Sequence, residues 1–230
     1  MAYTTINKSS NYISTKLYTG TGSSQSITGV GFQPDMNWHK TRTTSGYNHC
    51  FVDAVRGPTK FLRPNLSNSE DTYTGSFVSF DSDGFSVGAD GSNGETNKSG
   101  DSFVSWNWKA NGTGSSNTDG SISSTVSANT TSGFSIVSWT GTEANATVGH
   151  GLGSAPKMII VKRLNGTTNW QDHIAAVKNT VPGPSSDEAR EMRASRVVIN
   201  WGTEDSPAWT DNVNREVPNL VKNVGKLTSD

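Results

Sequence analysis

The chain is short of the groups that usually announce a chemistry. Cys50 is its single cysteine, so an intrachain disulfide is impossible and stability has to come from packing. Charged residues make up only 17% of 230 residues and nearly cancel, leaving a formal net charge of -1. That balance gives no electrostatic case for nucleic acid or for an anionic membrane surface. The opening Met1-Ala-Tyr-Thr-Thr-Ile-Asn-Lys has no apolar signal region, and no apolar run reaches the ~18 residues of a membrane span. Synthesis in the cytosol without a signal peptide is the expectation. The four histidines, His39, His49, His150 and His173, show no zinc-ligand spacing with Cys50. His49 and Cys50 are chain neighbours and would point to opposite faces of a strand, so they do not form a nucleophile and its base.

What is present points to β structure. Gly, Ser, Thr and Asn are plentiful, there are seven Trp, and mean hydropathy is -0.55. Low net charge with many aromatics is not a disordered composition. Hydroxyl-rich strands with one wet face fit it better.

One stretch occurs twice. Tyr18-Thr19-Gly20-Thr21, Gly29-Val30-Gly31-Phe32 and Pro34-Asp35-Met36, ending at Lys40, is matched by Trp139-Thr140-Gly141-Thr142, Gly149-His150-Gly151-Leu152 and Pro156-Lys157-Met158, ending at Lys162. An ordered recurrence of this kind implies two units of one type in tandem. We expect an all-β chain of two tandem β-sandwich, jelly-roll-like domains. The divisions are an N-terminal arm over 1–12, a first domain over 13–110, a linker over 111–120 and a second domain over 121–230 with a divergent C-terminal region.

Individual strands are legible. Ile13 to Tyr18 alternates as a half-buried strand does, with Ile13, Thr15 and Leu17 on one face. Phe77–Phe80 and Phe85–Val87 flank Asp81-Ser82-Asp83-Gly84, a strong hairpin signal. Asp81-x-Asp83-Gly84 also resembles the opening of a calcium loop, but the further acceptors and closing Glu are absent. Asp90 to Glu95 offers carboxylates only at generic spacing. Met158–Val161 is apolar throughout and predicts a central strand; the first copy has Asn37 and His39 in place of Ile159 and Val161, so its strand either has a wetter face or gives these side chains specific partners. Phe103–Trp108 closes the first unit with Val104, Trp106 and Trp108 on one face. Ser185 with Glu188 has capping-box spacing, and Ala189–Arg196 is the one short helix predicted, near the C-terminus, followed by a strand at Val197–Trp201.

Several runs together look like a repeat domain of virion proteins in marine tailed phages, cyanophages especially. They are Met1–Asn7, Lys16–Gly22, Gln25–Asp35, Phe80–Phe85 and Trp106–Lys109, followed by Asn117–Ile122, Gly133–Ser138 and Val148–Gly153. The resemblance covers roughly residues 1–165. It implies a β-sandwich on the phage particle, of the kind called tail-fibre-like, and supplies no catalytic residues. Members usually carry apolar residues where Asn37 and His39 stand.

The resulting expectation is a non-enzymatic structural protein of a tailed-phage virion: a capsid decoration, head fibre or tail accessory protein acting through protein–protein contacts. Its partners would be other capsid or tail proteins and further copies of itself, with a trimer as the first guess. No cofactor, metal, nucleic acid or membrane is expected. The alternative is a lectin-like module that recognises host surface glycans. Trp106 and Trp108 could stack on sugar rings, although a place in the sandwich core is the better reading. Trp170, Trp201 and Trp209, in the divergent and more charged region, are the candidates for an interaction surface.

Overall fold

A computed structural model describes residues 6–89, 94–174 and 197–202. The described chain is all-β. A single 3-10 turn at Ser9–Asn11 precedes the first strand. The strands of the first half are β1 (Ile13–Thr19), β2 (Gln25–Thr28), β3 (Met36–Thr41), β4 (Cys50–Asp53), β5 (Gly57–Leu62), β6 (Asp71–Thr72), β7 (Phe77–Asp81), β8 (Gly84–Val87) and β9 (Ser102–Trp108). Those of the second half are β10 (Ser115–Asn117), β11 (Ser124–Asn129), β12 (Phe134–Trp139), β13 (Met158–Arg163), β14 (Gln171–Ile174) and β15 (Val197–Gly202). The predicted helix at Ala189–Arg196 lies outside the described residues.

The strands form three sheets, ordered β1-β9-β3-β4-β5-β6, β2-β8-β7 and β10-β11-β12-β15-β13-β14. The repeated stretches hold matching places. In one large sheet β9 lies between β1 and β3, with β4 beyond; in the other β15 lies between β12 and β13, with β14 beyond. Their directions differ: β9 runs antiparallel to both neighbours, β15 parallel to both. Pro34 and Pro156 each sit just before the strand that starts at Met36 or Met158, where the missing N–H breaks no ladder bond.

The three-stranded sheet packs on one face of the first large sheet. Ile27, Phe77, Phe85 and Val87 meet Cys50, Val52 and Phe61 there, with Tyr18 and Phe80 at the margin. This layering is β-sandwich-like. The β7–β8 hairpin turns at the expected Asp-Gly. Asp83 then ties the sheet to its neighbouring loop, accepting the backbone N–H of Gly29 at 2.9 Å and of Gly31 at 2.7 Å. Gly84 lies so close to β2 that a Cβ there would meet the Ile27 carbonyl oxygen at 1.9 Å. The calcium-loop resemblance thus falls on a turn whose second carboxylate is occupied by backbone.

Asn37 and His39 are fully buried on that same face, and they do have specific partners. Asn37 donates to Asn107 Oδ1 at 2.8 Å, and His39 Nδ1 lies 2.7 Å from Asn37 Oδ1. Asn107 donates in turn to the Ser14 carbonyl at 3.1 Å and to Ser105 Oγ at 3.1 Å. Asn37 and His39 fill the place that Ile159 and Val161 fill in the second copy, bonded through Asn107 of β9 to the β1 backbone. Buried polar groups are tolerated when they are bonded in this way.

The opposite face of the first large sheet meets the second half. Met36, Phe51 and Leu62 share one core cluster with Ala110, Phe134 and Ile136. Trp108 stacks on Phe134 with ring centroids 6.3 Å apart. Backbone is tied across the same seam: Glu70 N–H donates to the Leu164 carbonyl at 2.8 Å, and Asn111 N–H to Ser127 Oγ at 2.8 Å. Because Phe134 belongs to this shared cluster, Phe134→Ala is expected to cost about 3–5 kcal/mol. Thermal unfolding followed by near-ultraviolet and far-ultraviolet circular dichroism should show both signals shifting together. A first-half transition left at its wild-type temperature would contradict the shared core.

Candidate interaction surface

The seam covers only part of the sheet face it uses. Cross-strand register places Ile13, Trp108 and Met36 in one row, Thr15, Trp106 and Trp38 in the next, and Leu17, Val104 and Lys40 in a third. Paired residues share a face. At the β4 and β5 end this face is buried against Phe134 and Ile136. At the β1 end it is open: Leu17 is 60% exposed and Ile13 42% exposed, while Val104, Trp106 and Trp38 are half-buried. The alternation of β1 was legible, but its apolar face points outward; Ser14, Lys16 and Tyr18 face inward. Tyr18 accounts for the reversal, because its ring stacks on Phe103 at 5.1 Å and its hydroxyl donates to the Thr96 carbonyl at 2.6 Å.

An aromatic chain crosses from the open part of this face to the seam. Trp106 lies 5.3 Å from Trp38, Trp38 4.8 Å from Phe51, and Phe51 5.6 Å from Trp170, centroid to centroid. The Trp170 indole N–H lies 3.2 Å from the Arg63 carbonyl oxygen and 2.9 Å from that of Leu66. Trp170 therefore sits at the junction of the two halves, partly buried against its own chain. Trp201 lies on β15, where the backbone is described, and Trp209 lies outside the described residues. The structure does not bring these three together as a described surface. Trp108 is committed to Phe134, while Trp106 remains on the open face.

Beside Trp38 lies His49, whose Nδ1 accepts the indole N–H at 3.0 Å. Burial lowers the His49 pKa, and the neighbouring Lys40 charge lowers it further. The neutral ring is the form that can accept this bond. From His49 a polar chain runs inward: its backbone N–H donates to Asn65 Oδ1, Asn65 donates to Asn48 Oδ1, and Asn48 donates to Glu95 Oε1.

Glu95 and Arg63 form the charged centre of the first half. They are 4% and 6% exposed and meet in a two-armed contact, Nε to Oε1 at 3.1 Å and Nη2 to Oε2 at 3.0 Å. Arg63 also reaches Asp71 and the Tyr73 hydroxyl, and the Cys50 thiol lies 3.4 Å from Glu95 Oε2. Burial opposes both charges, but the Glu95 hydrogen bonds more than offset it and raise the Arg63 pKa. The Glu95 carboxyl falls below the usual range for the matching reason. Spacing along the chain marks Glu95 only as one generic carboxylate, because its partner is 32 positions away. Cys50 is a packed thiol with 0% exposure. His150 is a turn residue whose ring accepts the Leu152 N–H at 3.2 Å. Among the described residues no group of three or more metal-ligating side chains occurs.

The chain belongs to the family described as Domain of unknown function (DUF7483), whose model matches residues 8–208. No curated protein and no solved structure matches it.

Glu95→Gln leaves Arg63 buried with its charge only partly matched, and should cost roughly 3 kcal/mol in urea unfolding. The pH dependence follows from the sign of the Glu95 shift. A carboxyl that ionises more readily in the folded chain stabilises it above the unfolded value, 4.5, and that contribution is lost as pH falls through the lower folded value. Asp35 acts in the opposite sense: burial raises its pKa, so its contribution grows as pH falls. Wild type should therefore lose stability more steeply than Glu95→Gln from about pH 5 to pH 3. Parallel acid profiles would remove Glu95 from the account.

Proposed function

We propose that this chain is a non-enzymatic structural component of a tailed-phage particle, working through protein–protein contacts as a capsid decoration, head fibre or tail accessory protein. The particle rests on the sequence resemblance alone. The contact role rests on one observation, the open sheet face at Ile13, Leu17, Val104, Trp106 and Trp38. A stretch of adjoining apolar and aromatic side chains left in water is what an interface uses. Within this reading the molecule is two tandem β-sandwich units of jelly-roll type, and the equivalent orders β1-β9-β3-β4 and β12-β15-β13-β14 support that division. It assembles with further copies of itself and with other particle proteins.

Four buried carboxylates support a structural role. Glu95 is matched by Arg63; Asp53 is matched by Arg56 at 2.6 Å; Asp101 accepts Thr44 and Thr41; Asp35 accepts the Ala110 N–H at 2.7 Å. Each is engaged in holding the chain together. A second reading, a glycan-binding module, is favoured by the Trp38–Trp106 pair beside the exposed Thr15 and half-buried Lys40, because partly open aromatic faces with polar neighbours suit sugar rings.

Mass spectrometry of purified particles with a cryo-EM reconstruction tests the first reading. The expected result is this chain at a fixed copy number, its open face against a neighbouring protein. Its absence from the particle would sink the proposal. Binding to a glycan array that Trp106→Ala abolishes would put the second reading in its place.

A further inference from the structure

The open face ends on a free strand edge, and that edge differs from the others. Strands at sheet edges are normally kept short, bulged or charged because they invite pairing with another chain. Among the described residues, β6 has 2 residues, β10 has 3, and β2 and β14 have 4 each. The edge strand β7 is interrupted by a register shift between Phe77 and Ser79. By contrast β1 has 7 residues in unbroken register with β9. Its one charged side chain, Lys16, is not placed to guard the edge. The ammonium faces inward over Gly29, where an added Cβ would lie 2.7 Å from Nζ, and its charge acts on Asp83.

The direction of the backbone groups follows from the ladder. Lys109 N–H donates to the Tyr12 carbonyl and Gly20 N–H to the Asp101 carbonyl. In an antiparallel pair such bonded positions alternate. Ser14, Lys16 and Tyr18 therefore bond to β9, and the N–H and C=O groups of Ile13, Thr15 and Leu17 point out of the sheet edge. Their side chains are the exposed ones.

We propose that β1 pairs antiparallel with β1 of a second copy about a twofold axis at Thr15. The inference rests on the contact-forming reading above and names its partner. Ile13 then lies opposite Leu17 of the second copy, Thr15 opposite Thr15, and Ser14 opposite Lys16. This register uses only the outward backbone groups, places apolar side chains opposite each other, and keeps the two Lys16 residues apart. A shift of the axis to Lys16 would place like charges directly opposite, which is unfavourable. The paired edges join two six-stranded sheets into one, and the open faces with Trp106 and Trp38 become continuous across the axis.

The test is sedimentation velocity of the full chain over a concentration series, with three variants. Thr15→Pro deletes an outward N–H and spares the bonds to β9; an edge strand tolerates proline at such a place. The axis removes two symmetric bonds at once, so the dimer dissociation constant should rise by about tenfold or more. Leu17→Lys, at a site already exposed, should weaken the dimer as well, and decides the matter if Thr15→Pro loses its β-sheet spectrum. Thr15→Cys should form a disulfide-linked dimer on mild oxidation, since Cα atoms in a bonded antiparallel pair lie about 5.5 Å apart, within disulfide reach. Leu17→Cys should not cross-link, because its counterpart is offset along the strand. A wild type that stays monomeric at every concentration overturns the proposal. So does an oligomer that both edge variants leave intact and Thr15→Cys fails to trap; that outcome leaves the particle role to the mass-spectrometric test above.

Discussion

The burial of Met36, Phe51 and Leu62 against Phe134 and Ile136 is the constraint on which the rest of the molecule depends. Neither large sheet has two covered faces without it. The first sheet spends one face on the three-stranded sheet beneath, and the second carries its own small cluster of Val126, Val137 and Leu152 on the other side. The shared cluster is what makes two similar stretches of sequence into one packed body. Its location also explains the open surface: the seam reaches β4 and β5 and stops short of β1, so Ile13 and Leu17 are left outside it.

With no disulfide available, the first half secures its loops with buried polar contacts. Arg63 gathers Glu95, Asp71 and Tyr73, and its carbonyl receives Trp170 from the second half. Asp53, Arg56 and Glu70 form a second set, and the Glu70 N–H reaches Leu164 across the seam. Such pairs are weak sources of net stability, since removing charges from water costs nearly what their attraction returns. They are strongly selective, because displacing one member strands the others. Through these contacts the loop after β5 is tied to Glu95 on one side and to Leu164 and Trp170 across the seam on the other.

Much of the strand pattern was legible because it is local. Alternation marked β1, β7 and β9; the Asp-Gly turn marked the β7–β8 hairpin; the two Pro-x-Met openings marked β3 and β13. Less of the candidate surface was legible. Alternation tells that Ile13 and Leu17 share a face and cannot tell that Tyr18, with a ring partner at Phe103 and a carbonyl at Thr96, would draw the other face inward. Composition left two readings open for Asn37 and His39, a wetter face or specific partners, and could not choose between them; with Ser105 and Asn107 they bond to one another across β3 and β9 and are buried. The Arg63–Glu95 pair and the parallel insertion of β15 depend on residues far apart in the chain, where periodicity carries no signal. Trp170 looked like a surface group from its charged surroundings; its ring meets Phe51, which only the tertiary arrangement reveals.

If the outer edge of β1 is the place where this chain meets another copy, residue-resolved amide exchange reports it directly. In dilute solution the amides of Ser14, Lys16 and Tyr18, bonded to β9, should be protected, while those of Ile13, Thr15 and Leu17 exchange freely. Raising the protein concentration should protect the second set and leave the first unchanged. Free exchange of Ile13, Thr15 and Leu17 at every concentration, or equal protection of both sets in dilute monomer, would contradict it.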